Sequence, residues 1–249
     1  MQHVDLTVPA RRPSGIVGLA DVSSGPSGWR SVLGVVAAAA AVLWLASVAQ
    51  DAYALRTGAW DPANRIWLLD VDFEQGLFTW MSVLSLYTAG VILLLIGASP
   101  AHGTLRERGP WLLLGFMFLA LSADDHVGIH EKLSALLSRT TGGGSGLFYF
   151  AWAAPAGLLC LAGLLWFLPF LSRLPRRVFA LMLLSAALFL GGAVGLEMVA
   201  GAAAEASGVF SAPYRIVTNI EEACELFGVL LFIHALLLFV EMSGGEPVR

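Results

Sequence analysis

Leu147-Phe-Tyr-Phe-Ala-Trp-Ala-Ala-Pro-Ala-Gly-Leu-Leu-Cys-Leu-Ala-Gly-Leu-Leu-Trp-Phe-Leu-Pro-Phe-Leu171 runs for 25 residues without an acidic or basic side chain. A helix that spans the hydrocarbon core of a bilayer needs about 20 such residues. Inside lipid the backbone finds no water, so a single apolar run of this kind must satisfy its own N–H and C=O groups as an α-helix. Working outward from it, five further runs meet the same test, at about 32–50, 77–98, 110–130, 178–200 and 217–241. The fold class that follows is all-α, a polytopic bundle of six transmembrane helices.

The whole chain agrees with this reading. Its 249 residues are 57% hydrophobic and 13% charged, with mean hydropathy +0.77. A soluble domain carries about 25% charged residues. The net charge is −4, Lys132 is the single lysine, and no basic patch interleaved with aromatics is present. Nucleic acid is therefore excluded as a partner; membrane lipids are the expected surroundings. Cys160 and Cys224 fall in different apolar runs and are expected at different depths, unpaired.

Three regions are expected: a cytoplasmic tail over 1–30, the six-helix domain over 31–241, and a short cytoplasmic tail over 242–249. The first thirty residues hold Pro9, Pro13 and Pro26 and lack the apolar core of a cleavable signal. Orientation is read from Lys and Arg. With the N-terminus inside, the inner segments carry Arg11, Arg12, Arg30, Arg106, Arg108, Arg173, Arg176, Arg177 and Arg249. The outer segments carry Arg56, Arg65, Lys132, Arg139 and Arg215. The expectation is N-in and C-in, in a bacterial inner (cytoplasmic) membrane.

The third run ends in Leu121-Ser-Ala-Asp-Asp-His-Val-Gly-Ile-His-Glu131, five ionisable side chains within eight residues. A charge at membrane depth costs about 2.5–3.5 kcal/mol on insertion scales, so such a cluster is a functional-site hypothesis by default. The topology extends it. The ends of the third and fifth runs and the starts of the second and sixth all point to the outer face. Asp72, Glu74, Asp124, Asp125, Glu131, Glu197, Glu221, Glu222 and Glu225 then share one layer with His126 and His130, and the inner half keeps only His234. So many carboxylates need protons or cations among them. A mixed carboxylate and imidazole set suits zinc, iron or manganese, and helix bundles build di-metal sites this way. The expected metal ligands are Asp124, His130, Glu131, Glu197, Glu222 and Glu225, with Asp125, Glu74 and Glu221 as acid–base carboxylates. On an unbroken helix Asp124 and Glu131 point within about 20° of each other. The Gly191-Gly-Ala-Val-Gly195 run before Glu197 allows close helix packing.

The chain resembles a broad group of bacterial multipass membrane proteins without established activity. They share an acidic run leading into Thr-Trp, a Leu-Ser-x-Asp-Glu…His-Glu string, and a Glu-Glu-x-x-Glu string opening the last helix. The matching stretches are Asp70-Val-Asp-Phe-Glu74…Thr79-Trp80, Leu121-Ser-Ala-Asp124-Asp125…His130-Glu131, and Glu221-Glu222…Glu225. The chain departs at Asp125, in place of Glu, at Phe78, in place of Pro, and in its extra His126. The resemblance favours Asp124, His130 and Glu131 over His126 and implies no reaction.

The leading expectation is a metal-dependent membrane hydrolase or oxidase acting on a lipid-like substrate, with a divalent metal as cofactor. The rival readings are a proton- or cation-coupled transporter and a non-catalytic subunit of a membrane complex. No Gly-x-Ser-x-Gly elbow and no phosphate-binding loop is present.

Overall fold

The computed structural model describes residues 28–141 and 143–243. Those residues are helical with no strand among them. Of the expected tails, only Gly28 to Arg30, Met242 and Ser243 fall within the described residues, and all five belong to helices. The helices are α1 (Gly28–Thr57), α2 (Leu77–Ala98), α3 (Leu105–Val127), α4 (Ile129–Thr141), α5 (Ala153–Leu171), α6 (Arg176–Leu190), α7 (Glu197–Ser207) and α8 (Ala212–Ser243). A π-helical stretch, Gly191–Leu196, joins α6 to α7, and Arg176–Ser207 acts as one 32-residue span. Among the described residues five helices are long and apolar enough to cross a membrane, six if α3 and α4 form one broken span. The protein is a multipass, membrane-type helical bundle.

Two boundaries differ from the sequence reading in ways that matter. The first run is 30 residues long rather than ending near 50, which brings Asp51 inside α1. The fourth begins at Ala153, because Gly146–Phe148 makes a short 3-10 turn and Pro155 lies in the first helical turn, where its missing N–H costs nothing.

Helix α8 is the spine. It packs on α1, α2, α6, α7 and the π stretch, and Leu226, Val229, Ala235 and Leu236 on it are 0–1% exposed. Small residues let backbones meet. A Cβ on Gly97 would stand 2.7 Å from Leu112 Cδ2, and one on Gly115 would stand 2.7 Å from Leu94 Cδ2, so α2 and α3 form a tight hairpin. In the predicted glycine run it is Gly192 that does this work: its Cβ would lie 2.9 Å from the Glu221 carbonyl oxygen on α8. By contrast α5 turns Leu158 and Leu159 outward at 72% and 74% exposure. An apolar face of this kind is matched by lipid tails. Cys160 and Cys224 are free, as expected.

The end of the bundle away from the acidic layer is basic. Arg108 Nη1 donates to the Ala98 carbonyl at 2.9 Å, closing the C-terminus of α2, and Arg30 pairs with Glu241 at 3.0 Å. His234 lies nearby with its ring 5.2 Å from that of Trp29.

Candidate acidic cavity

The acidic string at 124–131 is not one helix. Gly128 adopts φ 64° and ψ 47°, the left-handed region that ends a helix, and α3 and α4 diverge by 72° there. A side chain at 128 would meet Glu131 Oε2 at 3.2 Å and Glu74 Oε1 at 3.4 Å. Asp124 and Glu131 therefore do not aim at one point as they would on an unbroken helix, because the break redirects everything after residue 127. Asp124 instead folds over the break. Its Oδ1 accepts from the His130 backbone N–H at 2.8 Å, and its Oδ2 lies 3.1 Å from His130 Nδ1. Lys132 reaches back to the Val127 carbonyl and caps α3. His126 is exposed and stands apart from the cavity.

Beside this break lies a cavity of about 570 Å³. Glu74, Asp125, His130, Glu131, Glu197, Glu221 and Glu222 line it, as does Asp72. All three carboxylates expected to do acid–base work are there, with four of the six expected metal ligands. Asp124 and Glu225 are not in the lining. Asp124 is engaged by His130, and Glu225 packs its Cγ against Gly192. Glu74, Glu131 and Tyr149 are exposed, so the cavity opens to the surface. Beneath it the bundle is closed by apolar packing, including the stacked rings of Phe118 and Phe232 with centroids 4.7 Å apart.

The carboxyl groups stand in neighbouring pairs, Glu74 beside Glu131 and Glu221 beside Glu197. Like charges in contact repel, so such pairs favour a proton or a cation between them. Trp152 bridges the two halves. Its ring stands 4.9 Å from that of His130, and its Nε1 donates to Glu197 Oε1 at 3.3 Å. Asp125 lies beside the Ser82 hydroxyl, while its buried Oδ2 has no partner among the described residues. Among those residues no three His, Cys, Asp or Glu side chains stand in a metal-holding arrangement. The donor set as placed does not fit the expected zinc, iron or manganese centre.

The cavity wall rests on an ionic lock that sequence reading missed. Arg215 on α8 is 2% exposed. Its Nη1 donates to Asp72 Oδ2 at 2.7 Å, its Nη2 to Asp70, and its Nε to Asp51 at 3.3 Å. Arg65 donates to Asp70 at 2.6 Å and to Asp51 at 2.7 Å, and Asn219 donates to Asp51 at 2.6 Å. The signal was present in Asp51, at the end of an apolar run, and in the Asp70-Val-Asp72 alternation. Tyr214 donates to Asp72 Oδ1 at 3.2 Å and so ties the lock to the cavity.

Two groups in the 70–76 loop carry raised proton affinity. Burial pushes Asp72 up to about 6, with Arg215 pulling it down and Asp70 adding to the rise. Burial and the adjacent Glu131 raise Glu74. A carboxyl whose folded value lies above its unfolded value stabilises the fold most below the unfolded value, here 3.8 for Asp72. That contribution is lost as pH rises through about 6. The melting temperature in detergent is expected to fall between about pH 4 and pH 7, and Asp72→Asn is expected to flatten that slope. An unchanged slope in the variant would remove Asp72 from this role.

No curated protein and no solved structure matches the chain. Residues 35–240, which hold the ionic lock, the helix break and every lining group of the cavity, match a domain of unknown function (DUF8692), and the chain belongs to that family.

Proposed function

We propose that the protein is a membrane hydrolase that cleaves a lipid-like substrate by acid–base chemistry in the acidic cavity. The observation that carries this reading is the Asp124–His130 pair set against the Glu74–Glu131 pair. Asp124 accepts the Nδ1 proton of His130 and so fixes the tautomer that leaves Nε2 as a proton acceptor. His130 Nε2 takes a proton from water, and the water oxygen bonds to the substrate carbonyl carbon. When the bond to the leaving group breaks, Glu74 gives that group a proton. Burial and the adjacent Glu131 raise the proton affinity of Glu74, which suits it to that donation. The described side chains as placed do not gather three metal donors, so no step of this reaction is routed through a metal. Transport is less well supported, because the apolar packing of α2, α3 and α8 closes the path below the cavity.

Purified protein incubated with a total bacterial lipid extract tests the reading by mass spectrometry. Time-dependent product with the native chain, absent with His130→Ala, is the expected result. Equal product from both would sink the assignment.

The orientation inferred is N-in and C-in in a bacterial cytoplasmic membrane, with the cavity outside. It is supported by the basic end that holds Arg30, Arg106, Arg108, Arg173, Arg176 and Arg177. A single cysteine at Ser145, in a chain whose Cys160 and Cys224 are replaced by alanine, is expected to react with an impermeant maleimide added to intact spheroplasts. Labelling only after lysis would reverse the topology.

A further inference from the structure

The cavity has a sign. Among the described residues no lysine or arginine lines it. Arg215 spends all three of its guanidinium nitrogens on Asp51, Asp70 and Asp72, and the Lys132 ammonium is held by the Val127 carbonyl. A phosphate or carboxylate entering the cavity would face seven carboxyl groups against the single imidazole of His130, with no lysine or arginine among the described lining residues to receive it. A cation is favoured instead, and the Tyr149, Phe150 and Trp152 rings on the same wall add attraction for one.

Two acceptors in the lining narrow the class. The Thr218 hydroxyl, in a residue only 3% exposed, stands beside the Tyr214 hydroxyl without a hydrogen bond of its own among the described residues. Asp125 Oδ2 is likewise buried and without a partner. Both can accept N–H donors, which a primary ammonium has and a quaternary ammonium lacks. The carboxyl groups are spread around a 570 Å³ space and do not gather in threes. That spacing matches an organic cation better than a bare metal ion, whose oxygen ligands must close to about 2.0–2.6 Å.

We propose that the cavity selects a molecule bearing a primary ammonium group and no phosphate, carried on an apolar chain. The ammonium is held at Asp125 and Thr218, and the chain leaves past Phe150 and Val209. The lipid-borne part of this inference rests on the proposed hydrolase reading; the ammonium part rests on the cavity alone.

Equilibrium binding to the full chain in neutral-lipid nanodiscs is the test, with dodecylamine, dodecanol, dodecyl phosphate and spermidine as probes. Dodecylamine is expected to bind at least about tenfold more tightly than the alcohol or the phosphate. Asp125→Asn with Thr218→Val is expected to remove about tenfold of the dodecylamine affinity and leave dodecanol unchanged. Equal affinity for amine and alcohol overturns the proposal, as does an unaltered amine affinity in the double variant. Spermidine binding more tightly than dodecylamine overturns the lipid-borne part and makes a soluble polyamine the ligand. Hydrolysis of phosphate-bearing or neutral lipids, without preference for amines, overturns this inference while leaving the hydrolase reading intact. Amine selectivity without any lipid turnover does the reverse.

Discussion

Arg215→Ala is expected to cost about 3–5 kcal/mol of stability, the usual effect of removing one partner from a buried ion pair. The cost comes from what is left behind. Three aspartates and two arginines make the lock, a net charge of −1. Without Arg215, Arg65 is the cation left beside Asp51 and Asp70, Asn219 still donates to Asp51, and the Asp72 carboxyl keeps its bond from Tyr214. Asp70 is 1% exposed and cannot turn to water. Thermal unfolding in detergent should show the loss as a large drop in midpoint, or as failure to recover folded protein. A companion chain separates uncompensated charge from lost packing. Arg215→Met combined with Asp70→Asn and Asp72→Asn removes the orphaned anions with the cation. It is expected to recover most of the loss, since replacing a whole buried ionic group is often close to neutral. An Arg215→Ala chain within about 0.5 kcal/mol of the native one would show that the lock is ornamental.

The second large effect concerns His130. General-base catalysis contributes about 10²–10⁴-fold to rate, so His130→Ala is expected to lower lipid turnover by that factor. Asp124→Asn should separate the two roles of Asp124. The amide still accepts the His130 backbone N–H, so the turn at Gly128 survives. It no longer stabilises a protonated imidazole, so kcat should fall with little change in KM. Should Asp124→Asn raise KM alone, the pair would be a binding feature rather than a catalytic one.

Much of the fold was legible because lipid imposes a simple rule. Apolar runs of span length must be helices, and α2 was read with its observed ends, Leu77 and Ala98. The convergence of acidic residues at one end followed from alternating helix direction alone. The internal geometry of the site was not legible, for a physical reason. Helical-wheel reasoning assumes continuous backbone, and a single left-handed glycine at 128 rotates every later side chain. Asp124, which pairs with Glu131 on the wheel of an unbroken helix, becomes the partner of His130 for that reason. The ionic lock was hidden differently. Asp51, Arg65 and Asp70 lie far from Arg215 in sequence, and each alone reads as an ordinary interface charge. Only the docking of the 58–76 loop on α1 and α8 joins them. Trp152 shows the same limit. It reads as a membrane-interface aromatic, yet it stands between His130 and Glu197.

The central claim is that the Asp124–His130 and Glu74–Glu131 pairs carry out proton chemistry on a lipid without a metal step. Turnover of lipid extract by the purified chain in excess chelator tests it most directly, run beside Glu74→Gln with Glu131→Gln. Product formation that persists in chelator and falls about 10²-fold or more in the double variant is the predicted result. Turnover that is abolished by chelator and restored by zinc, iron or manganese would contradict it, as would a double variant that works at the native rate.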